Sequence, residues 1–127
     1  MEKRWSSGQS WEAQVGYSRV VRIDRHVYVS GTTATDETGA LVGIGDPYQQ
    51  TRQALANIHQ ALTQVEANLE DVVRTRIYVV NIEDWATIGR AHRSYFGNIR
   101  PTTTMVEVQR LINPQMLVEI EAEALTH

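Results

Sequence analysis

Cysteine is absent from the 127 residues of the chain. Its absence excludes disulfides, thiol catalysis and thiolate metal sites. No apolar stretch approaches the roughly 20 residues that cross a bilayer. The first residues also lack the apolar run of a secretion signal. We therefore expect a cytoplasmic protein with no membrane partner.

An excess of positive charge is also missing. The formal net charge is -3, whereas phosphate binding normally needs a clustered basic surface, so a nucleic-acid partner is not expected. All but one of the basic residues are arginines, and they are scattered along the chain. Arginine suits paired or interface positions better than lysine does, so some of these charges could lie between subunits.

Motifs for metals, phosphates and activated serines are missing as well. The glycine-rich residues 35–45 lack the pattern of a phosphate loop, and Ser30-Gly31 lacks the context of a nucleophile elbow. The histidines are far apart and form no metal-binding pair; they are His26, His59, His92 and His127. We therefore expect no metal and no cofactor.

At this length the chain forms one domain, residues 1–127. A short edge strand followed by a loop is expected over residues 3–14. Alternation of apolar and polar residues predicts further strands; these cover residues 19–23, 26–32, 72–80, 102–109 and 117–124. Asn113-Pro114 is a turn signal, so we predict that the last two strands pair as an antiparallel hairpin.

Two amphipathic helices are predicted between these strands. The first starts at Asp46-Pro47 and carries an apolar stripe as far as Leu69. The second covers residues 81–96, where Gly89 is expected to allow close packing. Its buried stripe is predicted from residues at helical spacing; these are Trp85, Ile88, His92 and Phe96. His92 is then expected to be a hydrogen-bonded core residue.

The order β-β-β-α-β-α-β-β predicts an α+β fold, a mixed six-stranded sheet with two helices on one face. Charge divides the polar sides of two strands: Arg74 and Arg76 lie on one, and Glu119, Glu121 and Glu123 on the other. These surfaces could meet within one sheet or across subunits. A solvated outer face for the glutamates is the simpler alternative.

The end of the chain resembles the RidA (YjgF) family. Pro101-x-x-x-x-Val106-x-Val108-x-x-Leu111, a spacer and Val118-Glu-Ile-Glu-Ala carry the resemblance. Gly16-Tyr17, Val29-Ser30-Gly31 and residues 71–75 extend it over nearly the whole chain. The resemblance implies a chorismate-mutase-like fold and a homotrimer around a central barrel. It also implies intersubunit clefts for a small metabolite and, in several members, enamine or imine deaminase activity.

Residue by residue, the resemblance makes Glu119 the catalytic group that orients or activates water. A carboxylate beside desolvating neighbours can serve as such a general base. Three other residues match cleft positions and are expected to bind the substrate; these are Tyr17, Ser30 and Gly31. The alternative for Glu119 is a solvated or ion-paired side chain.

Two further positions that are expected to bind the substrate, Thr103 and Gly89, depart from the deaminase pattern. Thr103 stands where active deaminases carry the arginine that holds the substrate carboxylate, and Gly89 stands where asparagine is common. A neutral hydroxyl cannot replace a bidentate guanidinium. Arg100 lies three residues away, outside the strand register of Thr103, and could reach a ligand only from the rim of the cleft.

The sequence therefore predicts a trimeric hydrolase or deaminase-like enzyme of unknown substrate that is a poor 2-imino-acid deaminase. A non-catalytic metabolite-binding or regulatory protein is the alternative. A third interpretation, a ribonuclease or translation inhibitor, is disfavoured by the acidic balance and by the absence of a basic stripe.

Overall fold

The computed structural model covers residues 1–127 and contains one mixed sheet of six strands with two long helices. The strands are β1 (Glu2–Trp5), β2 (Val20–Ile23), β3 (His26–Thr32), β4 (Val72–Val79), β5 (Thr102–Glu107) and β6 (Val118–Leu125). The helices are α1 (Ser10–Val15), α2 (Pro47–Gln64) and α3 (Trp85–Phe96). This is the predicted α+β architecture, with the short α1 in addition. No helix is both long enough and apolar enough to cross a membrane.

The predicted hairpin of the last two strands is wrong. The strand order is β1-β2-β3-β6-β4-β5, with β6 antiparallel to both β3 and β4, and β5 parallel to β4. Parallel neighbours need a crossover connection, and α3 supplies it between β4 and β5. The turn at Asn113, whose carbonyl accepts from the Met116 N–H at 2.9 Å, lies inside the connection from β5 to β6.

The core lies between α2, α3 and one face of the sheet. On β6 the predicted alternation is confirmed, since Val118, Ile120, Ala122 and Ala124 are all buried. On α2 the buried residues Leu55, Ile58 and Leu62 recur at helical spacing. Asp46 caps this helix by accepting a hydrogen bond from the Gln49 N–H at 3.1 Å.

The boundaries differ from the predictions at both ends of the core. Helix α2 stops at Gln64, so Leu69 lies in the 3-10 turn Leu69–Asp71. On β4, strict alternation from buried Thr75 predicts that Val73 is buried on the same face, but Val73 is 47% exposed, whereas Val72 is buried. The register shifts between Val72 and Arg74, and such an irregularity resets the alternation of a strand.

Two predictions for α3 are wrong, although Ile88 and Phe96 are buried as expected. Trp85 is 62% exposed, because the helix begins there after the 3-10 turn Ile82–Asp84 and its first residue lies outside the core. A Cβ added to Gly89 would meet no atom within 4 Å. Close packing within the chain therefore does not require this glycine.

The N-terminal segment was predicted as a strand and a loop, but part of the loop is the helix α1. Gly16, in the left-handed conformation at φ 92°, ends this helix by donating its N–H to the Glu12 carbonyl. Glu12 is 2% exposed and accepts hydrogen bonds from Ser6 and Ser7. These contacts within the segment fix a helix whose six residues are too few for a clear helical period.

The charged surfaces of β4 and β6 meet within one sheet. Arg76 lies 3.1 Å from Glu123 and 3.7 Å from Glu121, and the Tyr78 hydroxyl donates to Glu121 at 2.5 Å. This pairing between neighbouring strands accounts for two of the three glutamates on β6. Glu119, the third, lies apart from it.

Candidate active site

A cavity of about 600 Å³ lies beside Glu119, at the start of β6. Three of the predicted site residues line it, namely Tyr17, Gly31 and Glu119. Trp5 and Trp11 of the N-terminal segment also line the cavity, as do polar side chains of α2. The fold therefore brings half-buried aromatic rings and a carboxylate to one concave site, which is the usual form of a small-molecule site.

Gln50 holds in place the backbone that precedes Glu119. Its side chain is fully buried in α2. The Leu117 N–H donates to its carbonyl oxygen at 2.8 Å, and its amide donates to the carbonyls of Gln115 and Gly43. Sequence reasoning missed this residue, although a glutamine next to the apolar stripe of α2 was an available signal.

Glu119 combines partial burial with the absence of a partner. Burial raises the pKa of the Glu119 carboxyl above its ordinary value; the charge of Arg19 opposes this rise, and that of Glu121 adds to it. None of the side-chain hydrogen bonds or ion pairs of the chain involves its carboxylate. An unpaired carboxylate whose pKa moves toward neutrality can take a proton from water.

Gly31 is needed for the close approach of that carboxylate. A Cβ at this position would overlap the Glu119 carboxylate and would stand 3.0 Å from its Cδ. The φ of Gly31 is not positive, so the requirement is for space and not for backbone freedom. A larger residue would displace the Glu119 side chain from the cavity.

Arg19 is the functional residue that sequence reasoning did not identify. It is 9% exposed, lines the same cavity and donates to the Gly31 carbonyl at 2.7 Å and to the Tyr17 hydroxyl at 3.1 Å. A guanidinium has no acceptor, so the Tyr17 oxygen accepts in this bond and keeps its own proton for another partner. Tyr17 is thereby set up as a donor toward the cavity.

Glu12 holds Arg19 in place from behind. Its carboxylate lies 3.5 Å from Arg19 Nε and accepts from the Ser7 N–H at 2.9 Å. Burial alone would raise the pKa of Glu12, but the hydrogen bonds from Ser6 and Ser7 and the charge of Arg19 outweigh burial and lower it. Removing either partner of this buried pair would leave the other charge uncompensated, so Glu12 and Arg19 hold each other in place.

Four predicted site residues do not line the cavity within one chain. Ser30 is the nearest, but its hydroxyl donates to the Ser18 carbonyl at 2.7 Å. Gly89 lies on α3. Arg100 is exposed beyond that helix, and its Nε donates to the Gly97 carbonyl at 3.3 Å. Thr103 is the fourth.

Thr103 and Glu119 lie on opposite faces of the sheet. The Thr103 hydroxyl is 2.8 Å from that of buried Thr75, which places it on the helix side. Glu119 alternates with buried Val118 and Ile120, so it points to the other side. A single chain therefore cannot place both side chains against one small ligand.

His92 is hydrogen-bonded, as predicted, but it is only half-buried and does not belong to the core. Its Nε2 is 2.9 Å from the Thr75 hydroxyl, and its ring packs on Phe96 with the centroids 4.7 Å apart. Burial lowers the pKa of His92, so the ring is neutral at pH 7. No three histidine, aspartate or glutamate side chains lie close enough together to share a metal ion.

Comparisons with known proteins extend over almost the whole chain. Its residues 7–126 match the family described as Endoribonuclease L-PSP. A crystal structure from Mycobacterium tuberculosis, a member of the YjgF family, shares 49% sequence identity with a TM-score of 0.91, and the match covers 99% of this chain and 100% of the other.

Two curated relatives show how the similarity is distributed. An uncharacterised protein of Streptomyces coelicolor is 38% identical, over 96% of this chain and 90% of its own. The mouse 2-iminobutanoate/2-iminopropanoate deaminase is 28% identical, over 86% of this chain and 80% of its own. The family match over residues 7–126 and the 49% identity to a YjgF-family structure agree, so the chain belongs to the RidA (YjgF) family.

Proposed function

We propose that the protein is a cytoplasmic homotrimer that hydrolyses a small metabolite in clefts between its subunits, with Glu119 as the general base. The observation that carries the proposal is the state of Glu119. It lies in a cavity without a charge partner, whereas Glu121 and Glu123 on the same strand are paired. The family adds that some relatives bear the name of an imine deaminase.

The reaction that suits this site is hydrolysis of a carbon–nitrogen double bond. Glu119 takes a proton from water as the water oxygen bonds to the carbon, and the electron pair of the C=N bond moves to nitrogen. Glu119 then returns the proton to nitrogen, which gives a carbinolamine. A second proton passes from the carbinolamine hydroxyl through Glu119 to the nitrogen, and ammonia leaves as the carbonyl forms. Tyr17, whose oxygen already accepts from Arg19, donates a hydrogen bond through its O–H to the ligand and so orients it.

Assembly is supported by the outer edge of the sheet. Strand β5 has a neighbour on one side only, and most of its residues are exposed, including Val106 at 42%. An uncovered edge strand is ordinarily protected or paired. Within one chain, Thr103 and Glu119 lie on opposite faces of the sheet and cannot meet. In a cleft between subunits, Thr103 of one copy can approach Glu119 of another. The β4 and β6 charges pair within the chain, so they do not by themselves demand a trimer.

Thr103 sets the limit of the deaminase activity. A small 2-imino acid binds largely through its carboxylate, and one neutral hydroxyl replaces the charge-assisted pair that an arginine makes. Losing a buried charged pair costs about 2–5 kcal/mol. We therefore propose that the protein is a poor 2-imino-acid deaminase and that its substrate is another small molecule.

The departure at Thr103 also favours a second candidate, a metabolite-binding or regulatory protein that kept the cavity without the chemistry. Both candidates require the cavity, and they differ in turnover. A ribonuclease, which the description of the family suggests, has no support from the charge of the chain, at a net -3.

The test has two stages. Light scattering at micromolar concentration should give the mass of a trimer, and a monomer mass would contradict the intersubunit cleft. Small metabolites are then screened by thermal shift, and the hits are assayed for ammonia release. Binding with turnover supports the hydrolase; binding without turnover on every hit supports the regulatory protein.

A further inference from the structure

The charges that one chain contributes to the cavity are unbalanced. Three carboxylates line it, those of Asp36, Glu37 and Glu119, against the single cation Arg19. We propose that the cavity excludes anions and selects planar ligands that are neutral or positively charged, such as a protonated imine or an amidinium. This inference rests on the proposed function and names the substrate class of the same site.

Arg19 is not free to hold a carboxylate. Its Nη1 donates to the Gly31 carbonyl at 2.7 Å and to the Thr32 hydroxyl at 3.0 Å. Its Nη2 donates to the Tyr17 hydroxyl, and its Nε faces Glu12 at 3.5 Å. At most one of the five N–H groups of the guanidinium remains without a partner. A bidentate grip on an anion would therefore require breaking bonds that hold the site together.

Asp36 keeps its negative charge at the rim. Its Oδ1 accepts from the Thr38 hydroxyl at 2.7 Å and from the N–H groups of Thr38 and Ala40 at 2.9 and 3.0 Å. The hydrogen bond from the Thr38 side chain, ahead of the backbone bonds, lowers the pKa of Asp36. This carboxylate is therefore ionised at neutral pH and repels an incoming anion.

Aromatic rings complete the case for a cation. Trp5 and Trp11 line the cavity together with these carboxylates, whereas the ring of Tyr17 already has the Arg19 guanidinium 5.4 Å from its centroid. The face of an aromatic ring attracts a cation electrostatically. Flat rings and carboxylates together suit a planar, delocalised cation better than they suit a compact anion.

The charge preference also fits the chemistry of the site. A protonated imine is a stronger electrophile than the neutral form, and the balance R₂C=NH₂⁺ + H₂O → R₂C=O + NH₄⁺ needs no co-reactant. Water bonds to carbon, the carbon–nitrogen bond breaks, and both protons of the water pass through Glu119 to the departing nitrogen. A substrate without a carboxylate has no need of an arginine at position 103.

Three probes of one shape test the inference on the assembled protein, namely benzoate, benzamide and benzamidine. All are planar, and at pH 7 they carry charges of -1, 0 and +1. Binding is followed by NMR of the tryptophan indole N–H signals. Trp5 and Trp11 line the cavity, whereas Trp85 is exposed on α3 and serves as the internal control.

Benzamidine should bind about tenfold more tightly than benzoate, with benzamide between them. The signals of Trp5 and Trp11 should shift, and that of Trp85 should not. Glu119→Gln should reduce the preference for benzamidine. Glu121→Gln, the matched change at a residue paired with Tyr78, should leave it unchanged.

Benzoate binding as tightly as benzamidine, or no shift at Trp5 and Trp11 with any probe, would overturn the inference. The binding order is measured without turnover, so it is separable from the proposed function. If the probes bind in the expected order but no imine is hydrolysed, the proposed hydrolase function is wrong and the charge preference stands. If benzoate binds more tightly than benzamidine but an imine is hydrolysed, only the charge preference is wrong.

Discussion

The two ends of the acidic face of β6 carry the same residue in different settings. All three glutamates of β6 have register partners on β4, but only the side chains of Glu121 and Glu123 pair with Arg76 or the Tyr78 hydroxyl. Glu119 lies at the start of the strand, beside Gly31 and a cavity, and has no such partner. Spacing and residue type make the three glutamates equivalent in sequence, and only their neighbours distinguish them.

The difference shows that one strand can carry carboxylates that stabilise the fold beside a carboxylate that is available for chemistry. A glutamate with an arginine and a tyrosine beside it is committed to holding two strands together, and its contribution is modest where it is partly solvated. A glutamate that is partly buried and unpaired does not stabilise the fold, because burial disfavours its charged form. Such a group is a candidate for function.

The largest expected effect comes from Glu119→Gln. The two side chains are nearly isosteric, but glutamine cannot accept a proton, so turnover of a confirmed substrate should fall by about 10²–10⁴-fold. Steady-state ammonia release measures the loss, and circular dichroism checks that the fold is intact.

Glu121→Gln is the matched control and should keep turnover within a few-fold of the unmodified protein. If the two variants lose activity equally, the distinction between the two ends of the strand fails. If Glu119→Gln retains full turnover, Glu119 is structural.

Thr103 provides the next prediction. Ammonia release from 2-aminoacrylate should be at least about 30-fold slower than in an arginine-bearing relative, since the missing pair is worth about 2–5 kcal/mol. Thr103→Arg should recover part of this rate, because Thr103 is exposed within the chain and the longer side chain has room there.

The decisive measurement is the rate of the unmodified protein. A Thr103→Arg variant that gains no activity is not decisive, because poor placement of the new arginine would explain it equally well. A rate for the unmodified protein equal to that of the arginine-bearing relative would show that another group, such as Arg100, binds the carboxylate.

The parts of the fold that depend on short-range pattern were predictable. The alternation on β6 put Glu119 on the polar face, and Asp46-Pro47 marked the start of α2. The pairing of β5 was not predictable in this way, because alternation is the same in parallel and antiparallel strands. The position of Val73 failed for a similar reason, since a register shift leaves no residue signature of its own.

The site was predictable only in part, for a physical reason. Tyr17, Gly31 and Glu119 came from family resemblance, and the fold brings them to one cavity. Arg19 and Gln50 act through hydrogen bonds to residues 12 and 67 positions away, such as Gly31 and Leu117. Such partners are fixed by the tertiary fold, so no local pattern reveals them.

Gln50 extends the comparison to what holds the Glu119 end of β6 in place. Gln50→Leu should destabilise the protein by about 2–3 kcal/mol, because it leaves the Leu117 N–H and two carbonyls without their buried partner. Chemical denaturation measures the loss.

Gln49→Leu is the control, because Gln49 is exposed on the same helix and its change should fall within about 0.5 kcal/mol. Equal losses in the two variants would mean that the Gln50 hydrogen bonds do not support the start of β6.

The smallest expected effect is on stability: Glu119→Gln, which lowers turnover, should make the folded protein more stable. Burial raises the pKa of Glu119 in the folded protein, so the folded chain binds this proton more tightly than the unfolded chain does. The stability that Glu119 contributes is fully present below the ordinary pKa of a glutamate and is lost as pH rises through the raised value. Glutamine does not ionise, so Glu119→Gln should melt about 1–3 °C higher at pH 7, and the gain should vanish near pH 4. Melting curves across this pH range measure it, and a variant that melts lower at pH 7 would show that the ionised Glu119 has a favourable partner in the assembled protein.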